Sequence, residues 1–580
     1  MNRASAFRPM MLLAVAVLTA VCFLPAVSGS FLNWDDDVNF QRNLAYRGLG
    51  GEQIRWAFTS VLFGHYIPLT RLTFSLNYVL GGMQPWGYHL FNVLLHGANA
   101  ALFYVVARRL LASASGSGRQ EVRDDFAVSA AGAVAALVFG VHPLRVESVA
   151  WVTGRADVLC ATFVFLSTWA YLRAVDRPEP AHRKLIVVAT VALAAALLSK
   201  AAVWPFPIVL LLLDVYPLRR VQRVGWRPLL REKIPLFAVT LVVAVPTMYA
   251  LRHGAVVTDV GQYGLIARIT LAAYSVVVSA WRFLWPAALS PLYEMPAGVS
   301  LLEPRFGLAV PAAVLVTVAL ILLRRRWPAG LAAWTFSILM LASTTSAVRK
   351  TTDLAPDRYS YLAGLGFALL AGGALLGVSR LVESGVLARP MAWIAVAAGL
   401  VAVVGLGAES WSYSEVWREP ETLWRWAVEL DPACSVCYSK LGESVLGDPA
   451  QPLRAAEAES LFRRAIALRP DRPHAYFNLG TALIVQGRYV EAEAPLRSYL
   501  ERVPRSADGP ERLGRLYLLD HRYDAAIPMF RTALSRRPDA PGLRGYLAQA
   551  LQGRARELEA NGRRAEAEPL IIESRALARE

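Results

Sequence analysis

The stretch AYFNLGTALIVQGRYVEAEAPLRSYLERVP, residues 475–504, decides the fold of the C-terminal part of this chain. Two segments with helical apolar spacing are separated by the turn Gly487-Arg488-Tyr489, and Pro504 follows the second segment. The same pattern recurs at intervals of 38, 34 and 34 residues, measured between Pro432, Pro470, Pro504 and Pro538. The same intervals separate Leu441-Gly442, Leu479-Gly480, Leu513-Gly514 and Leu547-Ala548. The repetition indicates a stack of similar helical pairs.

A period of 34 residues with small and aromatic positions is typical of the tetratricopeptide repeat, a helix–turn–helix unit. We therefore predict an α-solenoid of about four repeats over residues 411–580. The small residues let paired helices approach closely, and the residues near Asp448–Pro452 lengthen the turn of the first repeat. The concave groove of such a stack suits a protein or peptide partner, and we expect no catalysis there.

The first repeat carries a Cys-x-x-Cys pair, Cys434 and Cys437. A zinc site would need two further ligands, which the neighbouring sequence does not provide. Haem attachment would need His at the position of Tyr438. Two interpretations stay open, a local disulfide and two packed thiols on a helix.

The first two thirds of the chain consist of apolar runs separated by basic clusters. About eleven of these runs are as long as a bilayer requires, or slightly shorter. They lie near Met10–Ser28, Tyr88–Leu111, Ala127–Val141, Val158–Val175, Leu185–Leu198, Val203–Tyr216, Ile234–Leu251, Gly307–Leu323, Pro328–Ser343, Tyr361–Val378 and Met391–Gly407. We predict an all-α, polytopic membrane helical bundle over residues 1–410, with the first run retained as an anchor.

The formal net charge of +16 raises the question of nucleic-acid binding. The basic residues, however, are concentrated in short loops between apolar runs, where they orient membrane helices by the positive-inside rule. These clusters are Arg108-Arg109, Arg173–Lys184, Arg219–Lys233 and Arg324–Arg326. Their placement favours a lipid bilayer as the partner and argues against nucleic acid.

With the N-terminus inside, the loops around Asp35 and Glu147 face outward. The stretch Ile266–Leu289 is the exception to a regular alternation, because a crossing there would place Arg324–Arg326 outside. We therefore interpret this stretch as re-entrant or surface-lying. The predicted location is the inner cell membrane, with the C-terminal repeats on the periplasmic side.

The segment FLNWDDD, residues 31–37, follows the first predicted span. Three adjacent carboxylates at a membrane face repel one another, and their pKa values respond to like charge and low dielectric. Such surroundings suit a catalytic base. The same residues would also fit a solvated loop or a helix N-terminal cap.

The other outward loops carry charged and aromatic residues that topology does not explain. They lie at His65–Leu69, Asn77–Tyr78, Gln84–His89, His142–Trp151, Gly154–Asp157, Ser199–Lys200 and Asp357–Leu362.

At these residues the chain resembles the transmembrane and tetratricopeptide-repeat-containing O-mannosyltransferases, from about Phe31 to the end. The family consists of GT-C glycosyltransferases, polytopic enzymes that use lipid-linked sugars. Three motifs carry the resemblance: an aromatic-x-Asp-Asp loop with Asn43 downstream, the run Asn77–His96, and the His142–Asp157 segment with its His-Pro, Glu147 and Gly-Arg-Ala-Asp. The chain departs from the animal members at Ile67, where they carry Arg, and at Ala201, where they carry an acidic residue.

The resemblance implies a polyprenyl-phosphate sugar donor, with mannose as the sugar and a Ser/Thr hydroxyl of a protein as the acceptor. Asp35 or Asp36 would be the base that accepts the hydroxyl proton, with inversion at the sugar carbon. Glu147 would orient the acceptor or a cationic partner.

The departing phosphate needs positive charge and hydrogen-bond donors. The residues expected to supply these or otherwise to bind substrate are Arg145, Arg155, Lys200, Arg282 and Arg358, together with His142 and Asp157 of the matched motifs. No metal ligand is assigned; an Asp cluster can hold Mg²⁺ or Mn²⁺, although a base alone can suffice.

Several of these residues have a structural interpretation that stays open. Glu147 can pair with Arg145 or Arg155 as a lock between spans. His142, before a proline, can end a helix, and Arg358 can anchor the head-group region.

Two other functions also stay open. The chain can be a non-catalytic membrane scaffold whose repeats bind partners, although a scaffold needs only one or two spans and no acidic cluster. It can also be a transferase that acts on an envelope glycolipid or polysaccharide, since only the repeats favour a protein acceptor.

Overall fold

The computed structural model describes residues 3–62, 64–116, 126–253, 264–342, 344, 352–447, 452–540 and 542–578. Within these ranges the chain is helical, and its only β-structure is two isolated bridges, Leu62 to His65 and Glu294 to Asp353. The predicted all-α fold is confirmed. The chain divides into two compact units, Met1–Leu423 and Trp424–Glu580. The division falls later than the expected boundary at residue 410, because a helix continues to Val416.

The α-helices up to the end of the first unit are α1 (Arg3–Cys22), α2 (Leu24–Val27), α3 (Gly51–Thr59), α4 (Pro68–Gly81), α5 (Pro85–Ser115), α6 (Phe126–Gly140), α7 (Val146–Ala150), α8 (Arg155–Ala174), α9 (Ala181–Ser199), α10 (Phe206–Val215), α11 (Arg220–Val224), α12 (Trp226–His253), α13 (Leu265–Leu284), α14 (Pro304–Gly307), α15 (Ala309–Leu322), α16 (Pro328–Leu341), α17 (Ser360–Ala363), α18 (Leu365–Glu383) and α19 (Arg389–Val416). A π-helical turn spans Asp37–Gln41, and 3₁₀ turns span Pro143–Arg145, Ala201–Val203, Leu323–Arg325 and Asp357–Tyr359.

By length and composition, seven helices of the described chain can cross a membrane: α5, α9, α12, α13, the stretch Pro304–Arg325, α18 and α19. An eighth is the bent pair Phe126–Gly140 and Pro143–Ala150, if the two helices form one span. Three further apolar helices are shorter: Phe7–Cys22, Ala201–Val215 and Pro328–Leu341. The predicted multi-span character is confirmed.

Several helices differ from the expected set of spans, and three expected spans correspond to the shorter apolar helices. Residues 266–289, expected to be re-entrant or surface-lying, contain the unbroken helix α13, which is long and apolar enough to cross. An unbroken helix does not fit a re-entrant loop; the surface-lying interpretation stays a prediction. Helix α8, expected to be a span, is not among the apolar candidates, because most of its residues are buried by other helices and need not be apolar.

Helix α8 is central to the first unit, where it packs against α5 and α9. Buried apolar residues of the three helices, such as Val106, Val164 and Leu193, form part of one large cluster. Because α8 and α9 are antiparallel neighbours, the start of α8 at Arg155 and the end of α9 at Ser199 lie at the same end of the bundle. The packing therefore brings two of the predicted site segments together.

The segment between α2 and α4 is held by aromatic packing. Phe31 and Phe40 stack on each other, and Phe40 also packs edge-on against Phe74 of α4. At the beginning of this segment, the Ser30 backbone N–H and hydroxyl donate to the Arg418 carbonyl and the Glu419 carboxylate, respectively. The acidic segment 35–37 thus has a fixed backbone between two anchored ends.

In the second unit, the helices form antiparallel pairs. They are α20 (Pro420–Leu430, which crosses the division), then α21 (Ser435–Leu446) with α22 (Pro452–Leu468), α23 (Pro473–Val485) with α24 (Tyr489–Arg502), α25 (Asp508–Leu519) with α26 (Tyr523–Arg536), and α27 (Leu543–Ala560) with α28 (Arg564–Leu577). The four pairs from α21 onward agree with the predicted repeats. Cys434 and Cys437 form a disulfide, one of the two interpretations left open by the sequence.

The small residues of the repeats allow the close helix approach expected from the sequence. A Cβ atom on Gly480 would lie 2.5 Å from Cγ of Leu496, and one on Gly514 would lie 2.8 Å from the Phe530 ring. Gly545, by contrast, has open space around the position of its missing Cβ atom.

The same substitution at these two kinds of glycine should have opposite effects. Gly480→Ala should destabilise the repeats by about 1–3 kcal/mol through overpacking against Leu496. Gly545→Ala should stabilise them by up to about 1 kcal/mol, because alanine favours the helix. The measurement is the temperature at which the C-terminal unit of the detergent-solubilised full chain becomes sensitive to protease. Equal shifts for the two variants would contradict the packing described here.

Candidate functional site

The three adjacent acids of residues 35–37 occupy three different environments. Asp35 adopts a left-handed backbone conformation, with φ of 71°, and lines a cavity. Asp36 is fully buried. Asp37 forms an ion pair with Arg42, with a nitrogen–oxygen distance of 3.1 Å. A single acidic residue of the cluster, Asp35, therefore lines the cavity.

Asp36 connects two loops of the first unit. One of its carboxylate oxygens accepts from the Leu32 N–H at 3.1 Å. The other accepts from the Thr153 hydroxyl at 2.6 Å and the Thr153 N–H at 3.1 Å. Burial raises the pKa of Asp36 to about 7, although these hydrogen bonds favour the charged form. Because every one of these contacts is internal to the protein, the structure gives Asp36 a positioning role.

The lining of the same cavity includes Arg358, which is held by Glu147. The Arg358 guanidinium and Glu147 carboxylate form a buried ion pair, and the Arg358 N–H donates to the same carboxylate at 2.7 Å. The guanidinium also lies 5.5 Å from the ring centre of Trp151 and 5.2 Å from that of Tyr359. Asp353 lies 3.6 Å from it on the buried side. Burial by itself would lower the pKa of Arg358. The negative charge of Glu147 opposes this effect, and the pKa of Arg358 is raised overall.

A second cation reaches the cavity from the end of α9. Lys200 Nζ lies 2.5 Å from a carboxylate oxygen of Asp157 in the first turn of α8. Both side chains are partly exposed. The antiparallel packing of α8 and α9 thus presents one positive and one negative group side by side.

These side chains meet in one cavity of about 190 Å³. Its lining includes four of the residues predicted from the sequence: Asp35, Asp157, Lys200 and Arg358. Other polar lining residues are Asn39, Asn43, Tyr46, His65, Arg71, Thr153 and Tyr359. The cavity therefore combines two carboxylates, three cations and neutral hydrogen-bonding groups drawn from distant parts of the chain.

A smaller recess of about 20 Å³ adjoins this cavity. The two share Asp157, Lys200, Arg358 and Tyr359. The remaining lining of the recess is mainly apolar and includes Met340 near the end of α16 and Leu362 in α17. A polar head group held by the shared residues would therefore have an apolar surface beside it.

Arg155 was expected to bind the donor, but the structure gives it an internal role. Its side chain is fully buried and donates to Asn92 Oδ1 and to the Tyr88 carbonyl, both at 2.8 Å. It also donates to Asn77 Oδ1 and to the Thr73 carbonyl. With its guanidinium occupied by protein acceptors, Arg155 ties α4 and α5 to α8 and is not available to a ligand.

His142 was also expected to bind substrate, but the structure places its ring in hydrogen bonds within the protein. Its Nε2 lies 3.0 Å from the Phe283 carbonyl, and its Nδ1 accepts from the Leu144 N–H at 3.2 Å. A carbonyl only accepts, so Nε2 carries the proton and both ring nitrogens are used. The buried ring caps the 3₁₀ turn that begins at Pro143.

Two more of the expected cations lie outside the cavity lining. Arg145 is fully buried, with its guanidinium 5.3 Å from the Phe139 ring centre and 5.6 Å from that of Tyr361. Arg282 donates to the Ala355 carbonyl at 2.6 Å and pairs with Asp357 at 3.1 Å. Packing against neighbouring helices, which sequence spacing does not reveal, places both guanidiniums inside the protein.

The sequence analysis missed several residues that shape the site. Arg71 lines the cavity, and its guanidinium donates to the carbonyls of Ser60 at 2.7 Å and His65 at 3.0 Å. Thr153 positions Asp36, and Asp353 lies beside Arg358. The signal for Arg71 was its place in an apolar helix directly after the quoted His65–Leu69 loop. Neither Thr153 nor Asp353 has such a signal in the sequence.

Metal binding was left open by the sequence. Among the described residues, no group of three or more His, Cys, Asp or Glu side chains has an arrangement that could hold a metal ion.

Comparison with known proteins supports the resemblance. Residues 454–507 match the tetratricopeptide repeat model. The protein O-mannosyl-transferase Tmtc1 of Drosophila melanogaster is 28% identical over 77% of this chain and 55% of its own length. TMTC4 of Mus musculus is 34% identical over 28% of this chain and 23% of its own length. Tmtc2 of Drosophila melanogaster is 41% identical over 26% of this chain and 15% of its own length.

Solved structures give weaker matches. ArnT from Cupriavidus metallidurans, crystallised with undecaprenyl phosphate, covers 87% of this chain and 80% of its own, with 16% identity and a TM-score of 0.36. MamA covers 27% of this chain and 86% of its own, with 21% identity and a TM-score of 0.23. Neither TM-score is high enough to support an argument about the site.

The internal role of Asp36 predicts a pH-dependent stability. A carboxyl whose pKa is raised in the folded state favours folding in its neutral form, so this stabilisation is lost as pH rises from about 4 to about 7. Asp36→Asn removes the ionisation. The unfolding temperature of the detergent-solubilised wild type, relative to that of Asp36→Asn, should therefore fall across this interval.

The control for this measurement is Asp37→Asn, whose acid is paired near the surface with Arg42. Wild type and Asp37→Asn should show nearly parallel pH curves. A constant difference between wild type and Asp36→Asn would show that the buried carboxyl does not titrate as described.

Proposed function

We propose that this chain is a membrane glycosyltransferase that moves a sugar, mannose by analogy with its relatives, from a polyprenyl-phosphate donor to a Ser/Thr hydroxyl of a protein. The proposal draws on its homology to protein O-mannosyl-transferases, and the chain spans 55% of the length of one of them, the fly Tmtc1. The observation that carries the proposal is the meeting of Asp35, Asp157, Lys200 and Arg358 in one cavity. Such a transfer needs a carboxylate to accept a proton and cations to bind the leaving phosphate, and the cavity contains both.

Asp35 is the proposed base. As the acceptor oxygen attacks the anomeric carbon, its proton passes to the Asp35 carboxylate, while the bond from that carbon to the phosphate oxygen breaks. The left-handed backbone of Asp35 and the anchoring of its neighbour Asp36 fix where the carboxylate lies. Of the two bases considered from the sequence, Asp35 is preferred because Asp36 is buried in internal hydrogen bonds.

Arg358 and Lys200 are the proposed binding groups for the donor phosphate. The leaving phosphate gains charge as the bond breaks, and fixed cations stabilise that charge without reorganising. Glu147 holds Arg358, and Asp157 holds Lys200. The mainly apolar lining of the recess beside these cations would contact the first part of the lipid chain.

The proposal includes an orientation of the chain in the membrane. We place the cavity and the repeats on the extracytoplasmic side of the inner membrane, as the basic loops indicate. The repeats would bind the acceptor protein, since tetratricopeptide stacks form extended grooves.

Substitution of Asp35 tests the proposed base. Asp35→Asn should reduce transfer from a radiolabelled polyprenyl-phosphate mannose by about 10²–10⁴-fold, because the amide cannot accept the proton. Asparagine adopts the left-handed backbone readily, so the protein should fold normally. The matched control is Asp37→Asn, which should keep wild-type transfer. Full activity in Asp35→Asn would rule out the proposed base.

Removal of the repeats tests the proposed acceptor class. In membrane vesicles supplied with the same radiolabelled donor, the full chain should place label in protease-sensitive material. A chain ending at Leu423 should lose most of this label, because the acceptor groove is absent. Label that stays in lipid or polysaccharide with both proteins would favour a glycan acceptor. Absence of transfer by the full chain would favour a scaffold.

A further inference from the structure

The first helices of the repeats carry two arginines that have no charged partner. Arg512 and Arg515 lie three residues apart on α25 and therefore share one face of that helix. Among the described residues, neither guanidinium makes a hydrogen bond or an ion pair. Most other arginines of the second unit are paired, for example Arg522 with Glu493 and Arg531 with Glu573.

This helix face lies on the inner side of the stack. The first helices of successive pairs contact one another, α21 with α23, α23 with α25, and α25 with α27. Direct contact between alternate helices places them on the tighter, concave side of the curve, where repeat proteins bind their partners. Arg512 and Arg515 are both partly exposed there.

Aromatic rings from the two neighbouring helices hold the arginines in place. The Arg512 guanidinium lies 4.8 Å from the ring centre of Phe477 on α23, and that of Arg515 lies 5.0 Å from the ring centre of Tyr546 on α27. Tyr546 in turn stacks on Phe530, with ring centres 5.8 Å apart. Stacking occupies one face of each guanidinium and leaves its in-plane N–H donors available.

The acids of the same helix do not neutralise these arginines. Asp508 and Glu511 both pair with Arg537, which follows α26. Burial, followed by the Arg515 charge, lowers the pKa of Arg512 although Glu511 and Asp508 act in the opposite direction. Two restrained, unpaired guanidiniums side by side are well suited to bind an anion that bridges them.

We infer that the groove formed by α23, α25 and α27 binds an acidic segment of a protein, with its carboxylates on Arg512 and Arg515. The inference assigns a chemistry to the groove used in the proposed function, and in that sense it builds on that function. Peptide binding is measured without any sugar donor, so a negative result here would leave the proposed transfer untouched. Loss of transfer in Asp35→Asn would likewise leave the groove untouched.

The test uses the full chain in detergent and a fluorescein-labelled hexaglutamate peptide, with hexaglutamine as the neutral comparison. Wild type should bind hexaglutamate more tightly than hexaglutamine, and added salt should weaken the binding. The double variant Arg512→Gln/Arg515→Gln should bind hexaglutamate about tenfold or more weakly.

The control removes two positive charges elsewhere in the unit. Arg564 and Arg575 are exposed on α28, the second helix of the last pair, and have no ion pair among the described residues. Arg564→Gln/Arg575→Gln should bind like wild type. Arg512→Lys/Arg515→Lys keeps both charges and stems, so its affinity should lie between those of wild type and the glutamine variant.

Three outcomes would overturn the inference: equal binding of the two peptides by wild type, equal binding of hexaglutamate by wild type and Arg512→Gln/Arg515→Gln, or equal weakening by the control pair. If the glutamine variant fails to fold, the lysine variant decides. An affinity of the lysine variant for hexaglutamate no greater than for hexaglutamine would also overturn it.

Discussion

The site depends on the buried ion pair between Glu147 and Arg358. Removing two charges from water is costly, and the cost is recovered only with close pairing and additional hydrogen bonds. Glu147 meets this requirement by accepting from both the guanidinium and the backbone N–H of Arg358, 211 residues away in sequence. The pair therefore fixes helix α7 against the turn before α17. Without Arg358, Glu147 would be an uncompensated charge inside the protein.

A second layer of charges supports this pair. Asp357 pairs with Arg282 and accepts from the Tyr293 hydroxyl at 3.1 Å, and Asp353 lies on the buried side of Arg358. Burial raises the pKa of Asp353 to about 8 and that of Asp357 to about 7. With acids crowded behind it, Arg358 remains charged and presents its accessible side to the cavity. The same physics that limits charges inside a membrane protein thus places one cation where a phosphate can reach it.

Local patterns in the sequence predicted the fold well, because each depends on nearby residues. The 34-residue period gave the repeats, and Gly480 and Gly514 pack as expected from it. The apolar runs predicted most of the membrane helices. Two exceptions are α8, which is not among the helices apolar enough to cross a membrane, and α13, which is. Residues of the cavity were found through the motifs shared with the O-mannosyl-transferases, but their separate roles were not. Asp35 and Asp36 are equivalent in sequence, and only the hydrogen bonds from Leu32 and Thr153 distinguish them. The internal role of Arg155 was likewise not predictable from the sequence, because its hydrogen-bond acceptors lie on α4 and α5.

We propose that Arg358, held by Glu147, and Lys200 bind the donor phosphate in the cavity that Asp35 also lines. This can be tested directly with an experimental structure of the chain in a lipid nanodisc with a non-hydrolysable polyprenyl-phosphonate mannose. Phosphonate oxygens should lie within about 3 Å of the Arg358 and Lys200 nitrogens, with the sugar in the cavity beside Asp35. Phosphonate density at the basic loop Arg324–Arg326, with the cavity closed to the sugar, would contradict it.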